Sequence, residues 1–139
     1  MANASTGIGV NDCCKLRFLE LKVKKTAPYI IFKIDEAKHE VTVDQIGASG
    51  ESFEDFAKAL PEGECRYAVY DYEFTNADNC KKTKIFFISW CPCTAKVKAR
   101  MIYAASKERF RRELDGIQLE LQATDASELD VELMREKVY

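Results

Sequence analysis

The sequence predicts an α/β protein in which one mixed sheet carries helices on its faces. Apolar or alternating segments at 29–34, 40–44, 65–74, 85–88 and 117–121 have the signature of strands, and segments of helical period lie before, between and after them. The link between the first two strands is short enough for a hairpin. The connection from 85–88 to 117–121 is long enough for a right-handed helical crossover, which pairs those strands in parallel. No linker, repeat or low-complexity tract divides the 139 residues, so a single domain over 1–139 is expected, with a flexible N-terminus at about 1–10.

In chain order, Asn11 or Asp12 caps a first helix running to about Lys24, with Cys14, Phe18 and Leu21 as its buried stripe. Pro28 resets the backbone before two strands, Tyr29–Ile34 and Glu40–Asp44, joined by the polar link Asp35–His39. After a glycine-flanked loop at 47–50, Ser52 and Asp55 form a capping box for a short helix through about Leu60, ended by Pro61 and Gly63. Residues 65–74 alternate, whereas Ile85-Phe86-Phe87-Ile88 is continuously apolar and predicts a central strand covered on both faces. Thr94 stands at an N-cap position after Pro92. The helix it predicts is followed by a second segment, 107–114, then Gly116 and the strand 117–121. Asp125 or Ser127 caps a last helix with Leu129, Leu133 and Val138 as apolar contacts and Arg135 and Lys137 exposed.

The helix after Thr94 is unusual because it is apolar on two sides. Ala95, Ala99, Ile102 and Ser106 make one stripe of small or apolar residues suited to packing on a sheet. Val97, Met101 and Ala104 make another, roughly opposite, with Lys98 and Arg100 beside it. Two arrangements satisfy this pattern. Either Val97, Met101, Lys98 and Arg100 are exposed together as a protein contact with cationic borders, or Val97 and Met101 lie under a neighbouring loop.

Composition narrows the function. The chain is 47% hydrophobic and 32% charged with a net charge of −2, which argues against general nucleic-acid affinity. It contains no apolar run of membrane-span length and no signal-peptide pattern, so an intracellular protein with free thiols is expected. Six cysteines and one histidine do not follow zinc-ligand spacing, and Cys91-Pro92-Cys93 departs from the redox Cys-x-x-Cys motif by one residue. Walker, GxGxxG, GxSxG and metalloprotease motifs are absent. Neither catalysis nor a cofactor or stable metal is expected.

Longer motifs are more specific. Trp90-Cys91-Pro92, Lys96-Val97-Lys98-Ala99-Arg100-Met101-Ile102-Tyr103 and Arg111-Arg112-Glu113-Leu114-Asp115-Gly116-Ile117 resemble the actin-depolymerising factor/cofilin signature. Glu64-Cys65-Arg66-Tyr67-Ala68-Val69-Tyr70-Asp71 and Leu119-Glu120-Leu121-Gln122-Ala123-Thr124-Asp125 match its plant branch, and the similarity runs from Ala2 to about Val138. The resemblance implies the cofilin-like, ADF-homology fold and a protein of the cytoplasm and cytoskeleton that binds monomeric (G-) and filamentous (F-) actin, severs filaments and promotes depolymerisation.

It also implies roles for particular residues. Val97, Lys98, Arg100 and Met101 would enter the cleft between actin subdomains, helped by Glu108, Arg111, Arg112 and the N-terminal Ser5, Thr6, Gly7 and Ile8. Lys81, Lys82, Lys84, Arg135 and Lys137 would form a second, filament-binding surface. Phosphoinositides would inhibit by competing for the cations, and a protein kinase acting on Thr6 or Ser5 would block docking with a dianion. A monomer is expected, with nuclear entry compatible with the lysine runs at 22–25 and 81–84. The other readings are a phosphoinositide-binding membrane-surface module with weak actin binding, and a family member that bundles filaments.

Overall fold

A computed structural model describes residues 7–138. Its strands are β1 (Gly9–Val10), β2 (Tyr29–Asp35), β3 (Glu40–Ile46), β4 (Arg66–Thr75), β5 (Lys81–Trp90) and β6 (Leu119–Ala123). Its helices are α1 (Asp12–Lys24), α2 (Phe53–Ala59), α3 (Val97–Glu113) and α4 (Val131–Val138), with a 3-10 turn at Ala126–Glu128. The strands form one sheet in the order β1-β3-β2-β4-β5-β6. The central pairings β3–β2–β4–β5 are antiparallel, and the outer pairs β1–β3 and β5–β6 are parallel. The mixed sheet and the parallel crossover through α3 are those expected from the sequence.

Alternation along β5 builds two cores. Ile85 and Phe87 face one side with Phe32, Tyr67 and Val69, and α1 and α3 cover that side through Cys14, Phe18, Leu21, Tyr103 and Phe110. Phe86, Ile88 and Trp90 face the other, covered by Phe53 and Phe56 of α2, Leu129, and Met134 of α4. Both faces are dry, which is why 85–88 is apolar without interruption.

Local signals set most boundaries. The Asn11 side chain accepts the Cys13 N–H at 2.9 Å and starts α1. Ser52 and Asp55 form the reciprocal capping box of α2. After α3 the chain turns at Gly116, where φ is +118° and an added Cβ would lie 2.8 Å from Cδ of Lys22, so only glycine fits without displacing that side chain.

Several expectations change. Thr94 does not cap α3: its hydroxyl donates to the Glu62 carbonyl at 2.7 Å, and the helix starts at Val97 with Lys96 as a cap residue that makes no side-chain bond. Residues 107–114 are no separate segment, because 97–113 form one uninterrupted helix. The last strand lies two residues later than 117–121, and β5 begins at Lys81, four residues before its apolar run. Of the apolar contacts expected for the last helix, Leu129 and Val138 pack on the core, whereas Leu133 is 37% exposed and Met134, fully buried, takes its place. Ile8 is buried and Gly9–Val10 pair with Glu40–Val41, so the N-terminal flexibility expected to about residue 10 does not extend over these residues.

Candidate functional site

The orientation of α3 follows from three buried side chains. Tyr103, Ser106 and Phe110 face the sheet, with the Phe110 ring 4.9 Å from Phe32 and 5.2 Å from Tyr67, and Tyr103 5.0 Å from Tyr67. The sheet-facing stripe is therefore wider and more aromatic than expected, since Ala99 and Ile102 are only half-buried at its edges. At 3.6 residues per turn, Val97, Met101, Glu108 and Arg112 fall within about 60° of one another on the opposite side. All four are exposed, Val97 at 62% and Met101 at 65%. Among the described residues no loop covers Val97 or Met101, so of the two arrangements left open by the helix pattern the one that buries this pair does not hold.

Lys98 borders this apolar pair and is exposed. Arg100 and Arg111 point sideways and are half-buried: Arg100 Nε donates to the Ala95 carbonyl at 3.3 Å, and Arg111 pairs with Glu120 of β6. Arg100 thus braces the start of the helix as well as bordering the patch, and Arg111 is partly neutralised. Lys96, which the resemblance did not single out, is exposed at the same helix end. Its spacing from Lys98 was the signal in the sequence.

The electrostatics of that end are unbalanced. The N-terminus of a helix carries partial positive charge and unpaired N–H groups, normally met by a capping side chain or an acidic residue. Here the first turn has neither, and Lys96, Lys98 and Arg100 add three cations. Apolar contact from Val97 and Met101 beside the exposed Lys98 is suited to a protein groove lined with acidic or carbonyl groups.

The remaining cations lie elsewhere. Strand alternation turns Lys82 and Lys84 toward the side covered by α4 and Lys81 toward the side of α1. Thr83, which shares the side of Lys81, accepts from Lys25 at 3.2 Å. Arg135 and Lys137 are exposed on α4, where Arg135 lies 3.5 Å from Glu132. Lys82, Lys84, Arg135 and Lys137 therefore belong to the layer on the opposite side of the sheet from α3. Gly7 is exposed, whereas Ile8 is part of the core and offers no apolar surface to a partner. Ser5 and Thr6 lie outside the described residues.

A sequence profile described as "Cofilin/tropomyosin-type actin-binding protein" matches residues 7–139. The chain belongs to this family, the ADF/cofilin family. It is 58% identical over 137 residues to actin-depolymerizing factor 1 of Petunia hybrida, with 99% of each chain covered. It is 52% identical to the actin-depolymerizing factor of Lilium longiflorum over the full length of both. Among solved structures, cofilin of Streptomyces griseoflavus superposes with a TM-score of 0.86 at 41% identity, covering 94% of this chain and 96% of that one. Actin depolymerization factor 2 of Plasmodium berghei gives 0.85 at 33% identity, with 94% and 96% covered. The family resemblance and the fold expected from the sequence are both correct. The ADF/cofilin family is one of actin-binding proteins rather than enzymes and belongs to the actin cytoskeleton. Among the described residues, no helix is long and apolar enough to cross a membrane, and no three His, Cys, Asp or Glu side chains converge on a metal position.

Proposed function

We propose that this protein binds monomeric and filamentous actin through the outward face of α3 and speeds filament turnover by severing and depolymerisation. The observation that carries the reading is the exposed Val97–Met101 pair beside Lys98, at an uncapped helix end with no acid in its first turn. In this reading Val97 and Met101 supply the buried contact, Lys98 and Arg100 meet acidic or carbonyl groups, and Glu108, Arg111, Arg112 and Gly7 extend the surface. Ser5 and Thr6, outside the described residues, contribute to the same binding, and one of these two hydroxyls is the phosphorylation position for an N-terminal-directed kinase.

A second contact through Lys82 and Lys84 with Arg135 and Lys137, joined by Lys81 at the strand end, reaches the next subunit of a filament. Support comes from the opposite sides of the sheet on which α3 and α4 lie. A protein holding two successive subunits favours the filament twist that fits both surfaces, and that differential affinity weakens the contact between subunits. Severing then requires no bond chemistry and no enzymatic activity in this chain. Phosphoinositide headgroups compete for the same cations. The protein acts as a monomer in the cytoplasm, with entry to the nucleus.

Single-filament fluorescence microscopy over a concentration series tests the reading. Breaks and faster shortening support it. Decoration or bundling without breaks retains actin binding and removes severing, and no decoration at all removes the assignment.

A further inference from the structure

The sulfurs of Cys65 and Cys91 lie 3.3 Å apart. Cys65 immediately precedes β4 and Cys91 immediately follows β5. Because Arg66 pairs with Trp90, one further step of the antiparallel register sets Cys65 directly opposite Cys91. Opposed residues of such a pair have Cα atoms about 4.5–5.5 Å apart, inside the roughly 4.4–6.8 Å that a disulfide spans. The surroundings hold this alignment from both sides. Trp90 Nε1 donates to the Pro61 carbonyl at 2.7 Å, the Thr94 hydroxyl donates to Glu62 at 2.7 Å, and the Cys91 N–H donates to Ala123 at 2.9 Å.

We propose that Cys65 and Cys91 are a thiol–disulfide site, oxidised to an intramolecular bond by peroxide and reopened by thiol reductants. The two cysteines have different access. Cys65 is 1% exposed, and its thiol is pushed up to about 12 by burial and then by Cys91, with Arg100 and Arg66 pulling the other way. Cys91 is half-buried and reachable from solvent. The Cys91 thiolate therefore attacks one oxygen of the peroxide, the O–O bond breaks, and hydroxide leaves with that electron pair, giving a sulfenic acid on Cys91. The Cys65 sulfur then attacks the Cys91 sulfur, the S–S bond forms, and the sulfenic oxygen leaves as water with the Cys65 proton. Two thiols are oxidised and one hydrogen peroxide is reduced to two waters. The bond closes the β4–β5 hairpin at its open end and fixes the chain that leads into α3.

The test uses the full-length protein, hydrogen peroxide, alkylation of the remaining thiols, and peptide mapping without reduction. The expected product is a cross-linked peptide joining Cys65 to Cys91, two hydrogens lighter than its parts. It disappears with dithiothreitol and in the Cys91→Ser variant. Closing this loop also raises the thermal midpoint of the wild type by roughly 10 °C, reversibly, and leaves Cys91→Ser unchanged. Three results would overturn the proposal: both thiols still alkylatable when the exposed Cys80 and Cys93 are oxidised, a Cys91–Cys93 link, or sulfinic acid on Cys91 with Cys65 free. If Cys91→Ser fails to fold, the wild-type peptide map decides by itself.

Discussion

The phenolic oxygen of Tyr103, in the middle of α3, accepts the backbone N–H of Ile34 at 2.8 Å. Strand β2 pairs with β4 only through Tyr29–Phe32, so the Ile34 amide extends past the end of that ladder. The tyrosine completes it. In return, the Tyr67 hydroxyl donates to the Tyr103 carbonyl, so helix and sheet are tied by two polar links inside an aromatic core. These links fix the rotation of α3, and with it the outward direction of Val97 and Met101.

Tyr103→Phe should lower stability by about 1–3 kcal/mol, because a buried N–H loses its acceptor while the ring is kept. Denaturant melts measure this as a lower midpoint at unchanged slope. An unaltered midpoint would mean that water or another group satisfies Ile34.

Lys98 and Arg100 should separate by stability. Lys98→Ala exposes nothing and should change stability by less than about 0.5 kcal/mol while reducing actin cosedimentation at least tenfold. Arg100→Ala should weaken actin binding and also cost about 0.5–1.5 kcal/mol, since it removes the bond to the Ala95 carbonyl. Equal melting curves for the two variants would contradict the bracing role of Arg100, and undiminished cosedimentation of both would contradict the actin surface.

Lys82→Ala should affect filaments and spare monomers. Its side chain belongs to the layer opposite α3, so monomer affinity, measured by fluorescence titration of labelled actin, should stay within about twofold, whereas filament cosedimentation should fall by about fivefold or more. Parallel losses would argue for one continuous surface.

Alkaline pH should destabilise the fold in a defined window. Burial pushes the thiols of Cys14 and Cys65 from 9.0 up to about 12, and the Tyr70 phenol from 10.0 up to about 12. The folded chain therefore holds protons that the unfolded chain releases, and this contribution to stability is complete below pH 9. It falls as the unfolded groups ionise at 9.0 and 10.0 and is lost as pH rises through about 12. Denaturant midpoints measured from pH 7 to 11 should be flat at first and then decline, with tyrosinate absorbance rising together with unfolding. A midpoint that stays flat to pH 11 would contradict it.

Much of this molecule is written in short-range sequence. Asn11 and the Ser52/Asp55 pair fix helix starts because capping involves neighbours two or three residues apart. The alternation at 65–74 and the unbroken apolar run at 85–88 identify strands, because side-chain direction in a strand has period two. The first is covered on both faces as well, with Tyr67 and Val69 in one core and Ala68 and Tyr70 in the other, which its alternation did not announce. The motifs from Trp90 to Ile117 identify the family, since only a long ordered match is that specific.

What the tertiary structure decided involves residues far apart in the chain. Thr94 has the composition of a cap but bonds Glu62, and β1 exists only because β3 offers a free edge. Arg100 and Arg111 have the same charge as Lys98 and Arg112, yet Ala95 and Glu120 engage the first two, whereas Lys98 and Arg112 are exposed. Helical period alone allowed Val97 and Met101 to be buried or exposed, because it sets the angle between two stripes and not which of them the core takes. Tyr103 and Phe110, held by Ile34, Tyr67 and Phe32, make that choice.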